Sequence, residues 1–172
     1  MPVQNPRKQT IVRVASEARE DHDKHAVLDL EHFLPYRLSV LSNRISQDIA
    51  ALYEQRFGIG ITEWRIIAVL GRFPGLSANE VAERTAMDKV AVSRAVRTLV
   101  DKALLHQAFN DQDRRRSELG LSKKGFRIFD EIVPLALAYE RDLLADLTNA
   151  EQQQLMGLLE RISASERALG QN

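Results

Sequence analysis

Three adjacent arginines, Arg114, Arg115 and Arg116, follow Asp113 in a polar stretch, and upstream of them Lys89, Ala91, Ser93, Arg94 and Arg97 lie close together in sequence. Guanidinium groups crowded this tightly repel one another in an isolated loop, so their use lies against phosphates or in the negative potential of a minor groove. Arginine and serine along one side of a helix supply multidentate donors to base edges, and a lysine near the helix start suits a phosphate. Asp113 is placed to pair with one arginine and fix the turn. Taken alone, the triple arginine reads as a solvated charged loop. The elements before it reverse that reading.

Those elements run from Ser77 to Gly125 without a spare residue. Ser77 and Glu80 in SANEVAERTAM form an S-x-x-E capping box at a helix start, and Val81, Ala82 and Thr85 give that helix a small apolar face. A break at Ala86 and Met87 leads to Asp88, whose carboxylate suits the next helix N-terminus by hydrogen bonding and by dipole. The second helix begins near Lys89, with Val92, Val96, Leu99 and Val100 spaced for burial and Lys89, Ser93, Arg94 and Arg97 largely opposite. LLHQAFNDQDRRRSELGLS then reads as two short strands, 104–109 and 118–121, around a polar tip at 110–117. A capped helix, a basic helix and an arginine-tipped hairpin, in that order, predict a winged helix-turn-helix that reads double-stranded DNA.

The stretch DKVAVSRAVRTLVDKALL resembles the recognition helix, and DRRRSELGLSKKG the wing signature, of the multiple-antibiotic-resistance regulator (MarR) family of winged-helix transcription factors. Asp113, Arg114 and Arg115 stand at the signature's polar positions, and Leu121, Ser122 and Gly125 close it. Ser122 replaces the usual threonine while keeping a capping hydroxyl, and Arg116 stands where a small residue is usual. The resemblance extends from about Phe33 to Leu169. It implies a mainly α fold with a two-stranded β-hairpin wing. Residues 1–30 would be a flexible arm and 31–172 a single domain, with 61–125 the DNA-binding lobe and 31–58 and 126–172 the dimerisation helices. It also implies a homodimeric regulator, most simply a repressor, on a palindromic operator, with Ser77, Lys89, Ala91, Ser93, Arg94, Arg97, Asp113, Arg114, Arg115 and Arg116 at the DNA.

Composition bounds the alternatives. The 172 residues, 44% of them hydrophobic, suffice for one packed domain. No cysteine is present, which excludes disulfides, thiolate metal sites and the peroxide-sensing branch of the resembled family. No apolar run approaches a membrane span, and no secretory signal opens the chain, so a cytoplasmic protein is expected. The net charge is zero, but from Arg84 to Arg127 there are 11 Lys+Arg against 5 Asp+Glu, leaving 13 against 19 elsewhere. A basic stripe on an acidic protein focuses binding on one face.

Before the winged helix, LEHFLPYRLSVLSNRISQDIAALYEQRF predicts one long helix, with Pro35 in its first turn, an apolar stripe from Leu38 to Tyr53, and Gly58 and Gly60 at its end. Thr62 is the expected cap of the next helix, whose Trp64, Ile67, Ala68 and Leu70 read as core. Beyond the wing come a long helix with a kink expected at Pro134 and a last helix capped by Thr148. Their leucines suit a dimer interface or an intramolecular bundle.

No hydrolase elbow, P-loop or dinucleotide fingerprint occurs, and no catalytic residue, cofactor or metal is expected. His22 and His25 sit beside Asp21 and Asp23, where a solvated arm is a better reading than a metal site. A helical protein-interaction module without ligand sensing is the rival reading, and it leaves the triple arginine unexplained. In the resembled family a small-molecule cleft adjoins the dimer helices. The matching residues are His32, Tyr36, Arg37, Ser42, Trp64 and Arg65, a set that suits an aromatic or phenolic acid through charge-assisted hydrogen bonds and ring packing. FLPYRLSVLSNRIS is similar to the first helix of family members that govern hydroxycinnamate-type catabolism. The alternative is that Tyr36 and Trp64 are core and that Arg37 and Arg65 form salt bridges.

Overall fold

The computed structural model describes residues 25–109 and 117–170. The chain runs α1 (Leu34–Ala51), α2 (Glu54–Phe57), α3 (Ile61–Arg72), α4 (Ala78–Thr85), α5 (Lys89–Asp101), β1 (Leu105–Phe109), β2 (Ser117–Leu121), α6 (Lys123–Leu143) and α7 (Asn149–Leu169). This is the mainly helical winged-helix architecture that the sequence predicts. Contacts divide the chain into two compact units that meet in sequence at Arg44 and Ile45.

In the first unit α1 starts with Pro35 inside its opening turn, where a missing amide hydrogen costs nothing. Leu34, Tyr36, Leu38 and Leu41 remain exposed. In the second unit α1 does not continue to Phe57 as a single helix. It stops at Ala51, and Tyr53 leaves helical geometry with φ −129°. Burying that ring, 1% exposed and 5.7 Å from the Trp64 ring, outweighs the hydrogen bonds that an unbroken helix would keep.

Gly58, at φ 62°, supplies the left-handed turn that ends α2. The expected cap at Thr62 is displaced to Gly60. The Glu63 carboxylate reaches back to accept from the Gly60 amide at 2.7 Å, so the helix starts one residue before Thr62. Ile59, Ile66, Ile67 and Leu70 then form one wall of the core, closed by Val81, Val92, Leu99, Leu104, Leu119 and Ile132.

The hairpin pairs Leu105 with Leu121 and Phe109 with Ser117. Leu119 also bridges to Leu76, with the Leu119 amide donating to the Leu76 carbonyl and the Gly75 amide to the Leu119 carbonyl, both at 2.9 Å. These bonds hold the wing base against the start of the helix-turn-helix. The wing leads directly into α6, capped by Ser122, whose Oγ accepts from the Gly125 amide and donates to the Ala103 carbonyl. A side chain at Gly125 would place its Cβ 2.1 Å from the Leu104 carbonyl oxygen, which is why glycine closes the motif.

Pro134 lies inside α6, and Thr148 caps α7 through a capping box with Glu151. Those hydrogen bonds hold the Glu151 carboxyl below its ordinary range. Helix α7 buries none of its residues. Leu143 and Leu144 of α6 and the segment after it, with Leu155, Met156 and Leu159 of α7, line a groove of about 960 Å³. Among the described residues no helix is long and apolar enough to cross a membrane.

Candidate nucleic-acid interface

The surface begins with the caps that aim its helices. At α4 the Ser77 Oγ accepts from the Glu80 amide at 3.3 Å, while Glu80 Oε2 accepts from both the amide and the hydroxyl of Ser77. The Ser77 hydroxyl is therefore committed to the cap. Helix α4 ends at Ala86, whose φ of 50° turns the chain sharply before Asp88. The Asp88 carboxylate accepts from the Ala91 amide at 2.8 Å and starts α5. Both capping expectations hold.

Burial then sorts α5 by face. Val92, Ala95, Val96 and Leu99 are buried, with Val100 at the margin, so the expected inward set gains Ala95. Lys89, Ser93, Arg94 and Arg97 come together on the outer face, where with Val90 and Thr98 they line a depression of about 480 Å³. Ala91 is exposed beside them. Arg94 and Thr98 also border a second depression of about 520 Å³ that reaches Glu54 and the first turn of α3. Asp113, Arg114, Arg115 and Arg116 lie outside the described residues.

Sequence patterning missed how this helix is held. Lys102, just beyond its end, donates from Nζ to the Gly58 carbonyl at 2.7 Å and to Glu63 Oε1 at 2.9 Å. Lys124 donates in turn to the Lys102 carbonyl at 3.0 Å. Two cations near a helix C-terminus also complement its dipole. The next residue, Ala103, takes φ 55°. Below the turn, the guanidinium groups of Arg84 and Arg72 lie 4.2 and 5.1 Å from the Phe73 ring centre, which confines both charges.

The expected ligand residues fall into both units. In the first, His32, Tyr36, Arg37 and Ser42 are exposed, and the His32 ring pairs with Asp29 at 2.8 Å. The Arg37 side chain has no ion pair among the described residues. In the second, Trp64 packs against the core between Tyr53 and Phe129, as its core reading requires. Arg65 donates to Ser46 Oγ at 2.8 Å, a hydrogen bond in place of the salt bridge weighed for it. Burial pushes the Tyr53 hydroxyl up to about 12, assisted by Glu54 and opposed by Arg65. Among the described residues no group of acidic or histidine side chains has the arrangement of a metal site.

Residues 57–116 match the sequence profile of the MarR family, a span that includes the whole helix-turn-helix described above. Over that span the chain is similar to the MarR family of transcriptional regulators. A MarR/EmrR family transcriptional regulator from Acinetobacter sp. ADP1 superposes with a TM-score of 0.76 at 28% identity, covering 82% of this chain and 99% of that one. The HTH-type transcriptional regulator BilQ of Clostridium symbiosum is 25% identical over 114 residues, 66% of this chain and 79% of the relative. The PcaV transcriptional regulator of Streptomyces coelicolor, solved in complex with its natural ligand, shares the fold with a TM-score of 0.65 at 24% identity, over 83% of this chain and 99% of its own. These relatives are transcriptional regulators and not enzymes. MarR regulators bind DNA and act as dimers, and some bind small molecules.

Proposed function

We propose that this protein is a MarR-type, cytoplasmic, ligand-responsive repressor that grips a palindromic duplex operator as a homodimer and lets go when a small aromatic acid or its thioester binds. The observation that carries the DNA half is the outer face of α5, where Lys89, Ser93, Arg94 and Arg97 share one depression on a helix whose opposite face is buried. Ser93, Arg94 and Arg97 read the major groove, Lys89 meets phosphate, and the wing arginines Arg114, Arg115 and Arg116 reach the adjacent minor groove. The exposed leucines of α7 support the dimer, and two-fold symmetry then asks for half-sites about one helical turn apart.

The effector half rests on Tyr36 and Arg37. Tyr36 and Arg37 are both exposed near the start of α1, and Arg37 has no ion pair among the described residues; an aromatic ring and a guanidinium are the two groups that an aromatic carboxylate uses. PcaV supports it as a fold relative that takes a natural ligand. One pair of variants tests both halves. Arg37→Ala is expected to bind operator DNA like the parent but to stay bound when phenolic acids or their coenzyme A thioesters are added, because an effector acts only through its differential affinity for two states. Arg94→Ala is expected to lose base discrimination worth about 1–3 kcal/mol while its DNA-free form binds effector normally. Normal release by the first variant removes the anchor, and an unchanged operator preference in the second removes the reading face.

A further inference from the structure

Between residues 74 and 125 one large apolar side chain among those described is exposed, the others being buried or partly buried. Val90, in the first turn of α5, is 56% exposed. A β-branched residue there brings no gain in helix propensity, and its side chain adds nothing to the core that Val92 and Val96 enter two and six positions later. It lies instead in the same depression as Lys89, Ser93, Arg94 and Arg97. Helical spacing explains the grouping, since Ser93, Arg94 and Arg97 fall three, four and seven residues after it.

We propose that Val90 is a specificity-determining residue that packs on the 5-methyl group of a thymine in the major groove. Of the four bases in duplex DNA only thymine presents a methyl there, and an apolar side chain is the group that recognises it. Val90 is the one side chain lining the depression that has no polar atom, so it covers a methyl without stranding a donor or acceptor. Val90 therefore adds to a donor-rich surface a preference for T·A at one step of each half-site. The inference rests on the DNA-reading assignment of α5 made above.

Deoxyuridine lacks only the 5-methyl of thymine and keeps its hydrogen-bonding edges, so it isolates the contact. The full-length protein is used to select preferred duplexes from a randomised library, and each thymine of the winning sequence is then replaced in turn by deoxyuridine. For the parent, one position per half-site is expected to weaken binding roughly fourfold, the effect of one buried methyl. Val90→Ala is expected to bind the thymine and uridine duplexes alike while keeping the parent's response at all other positions. Val90→Thr, which retains one methyl and the branched shape, is expected to fall between. A parent indifferent to uridine everywhere, or a Val90→Ala protein that keeps the parent's loss at the sensitive position, overturns the Val90 contact and leaves the DNA-reading assignment standing. A library that yields no preferred duplex overturns both.

Discussion

The winged-helix lobe and the helices that follow it are built from equally regular secondary structure, yet they finish their business differently. From Ile59 to Leu121 the apolar residues of α3, α4, α5 and the wing meet inside one chain, and the helix starts at Gly60, Ser77 and Asp88 are capped by neighbouring carboxylates or hydroxyls. Helix α7 has a cap of the same quality in Thr148, but no buried residue, and its leucines face out. Good local chemistry therefore does not distinguish a self-sufficient element from one that needs company. Burial does, and in the proposed function it separates the part that would read DNA from the part that would assemble the dimer.

The comparison breaks most visibly if α7 is removed. Ending the chain before Thr148 is expected to give monomers or aggregates by sedimentation, and to weaken operator binding by about a hundredfold or more as the two half-sites lose their shared tether. A truncated chain that remains dimeric and binds normally would place assembly elsewhere. Inside the lobe, Gly125→Ala drives a methyl into the Leu104 carbonyl and is expected to cost about 2–3 kcal/mol in urea unfolding, because neither the cap of α6 nor the end of the α5 turn has room to shift. Lys102→Met is a gentler probe. It leaves the mostly buried Glu63 carboxylate without its cation and is expected to cost about 1 kcal/mol, with a loss of operator affinity alongside it. An unchanged melting curve would show that the pair contributes nothing.

The smallest effect is one of pH. The Tyr53 hydroxyl ionises near 10 when unfolded and near 12 when folded, so the fold favours its neutral form. That contribution is complete below pH 10 and falls away as the pH rises from 10 through about 12. Tyr53→Phe is expected to flatten this alkaline decline, read by thermal melts between pH 9 and 12. An identical alkaline slope in both proteins would assign the decline to other groups.

What the sequence discloses here is whatever short-range chemistry decides. Ser77, Asp88, Ser122 and Thr148 all cap as their side chains suggest, since partner and cap lie three residues apart. Thr62 misleads because the residue after it, Glu63, serves the amide of Gly60 and moves the start of α3 forward. The break at Tyr53 depends on Trp64, and the Lys102 tie spans 39 residues to Glu63, so neither leaves a periodic trace. Val90 stands outside the inward set that helical spacing predicts, and its exposure beside the donors of α5 is read from the structure. The depression that Arg94 and Thr98 share with Glu54 and the first turn of α3 comes from the packing of α5 near the start of α3, which no window of sequence contains.

Helix α5 stands between Ala86 and Ala103, two alanines held at left-handed backbone angles that glycine would adopt freely. Each strained joint costs roughly 1 kcal/mol, an outlay that the surrounding core sustains. Alanine left to itself would move to negative φ, so it is the packing around both joints that fixes the mounting of α5. Glycine at either position would ease the local strain. In the proposed function the orientation of the donors is thus largely settled before DNA arrives, and less freedom remains to be surrendered on contact.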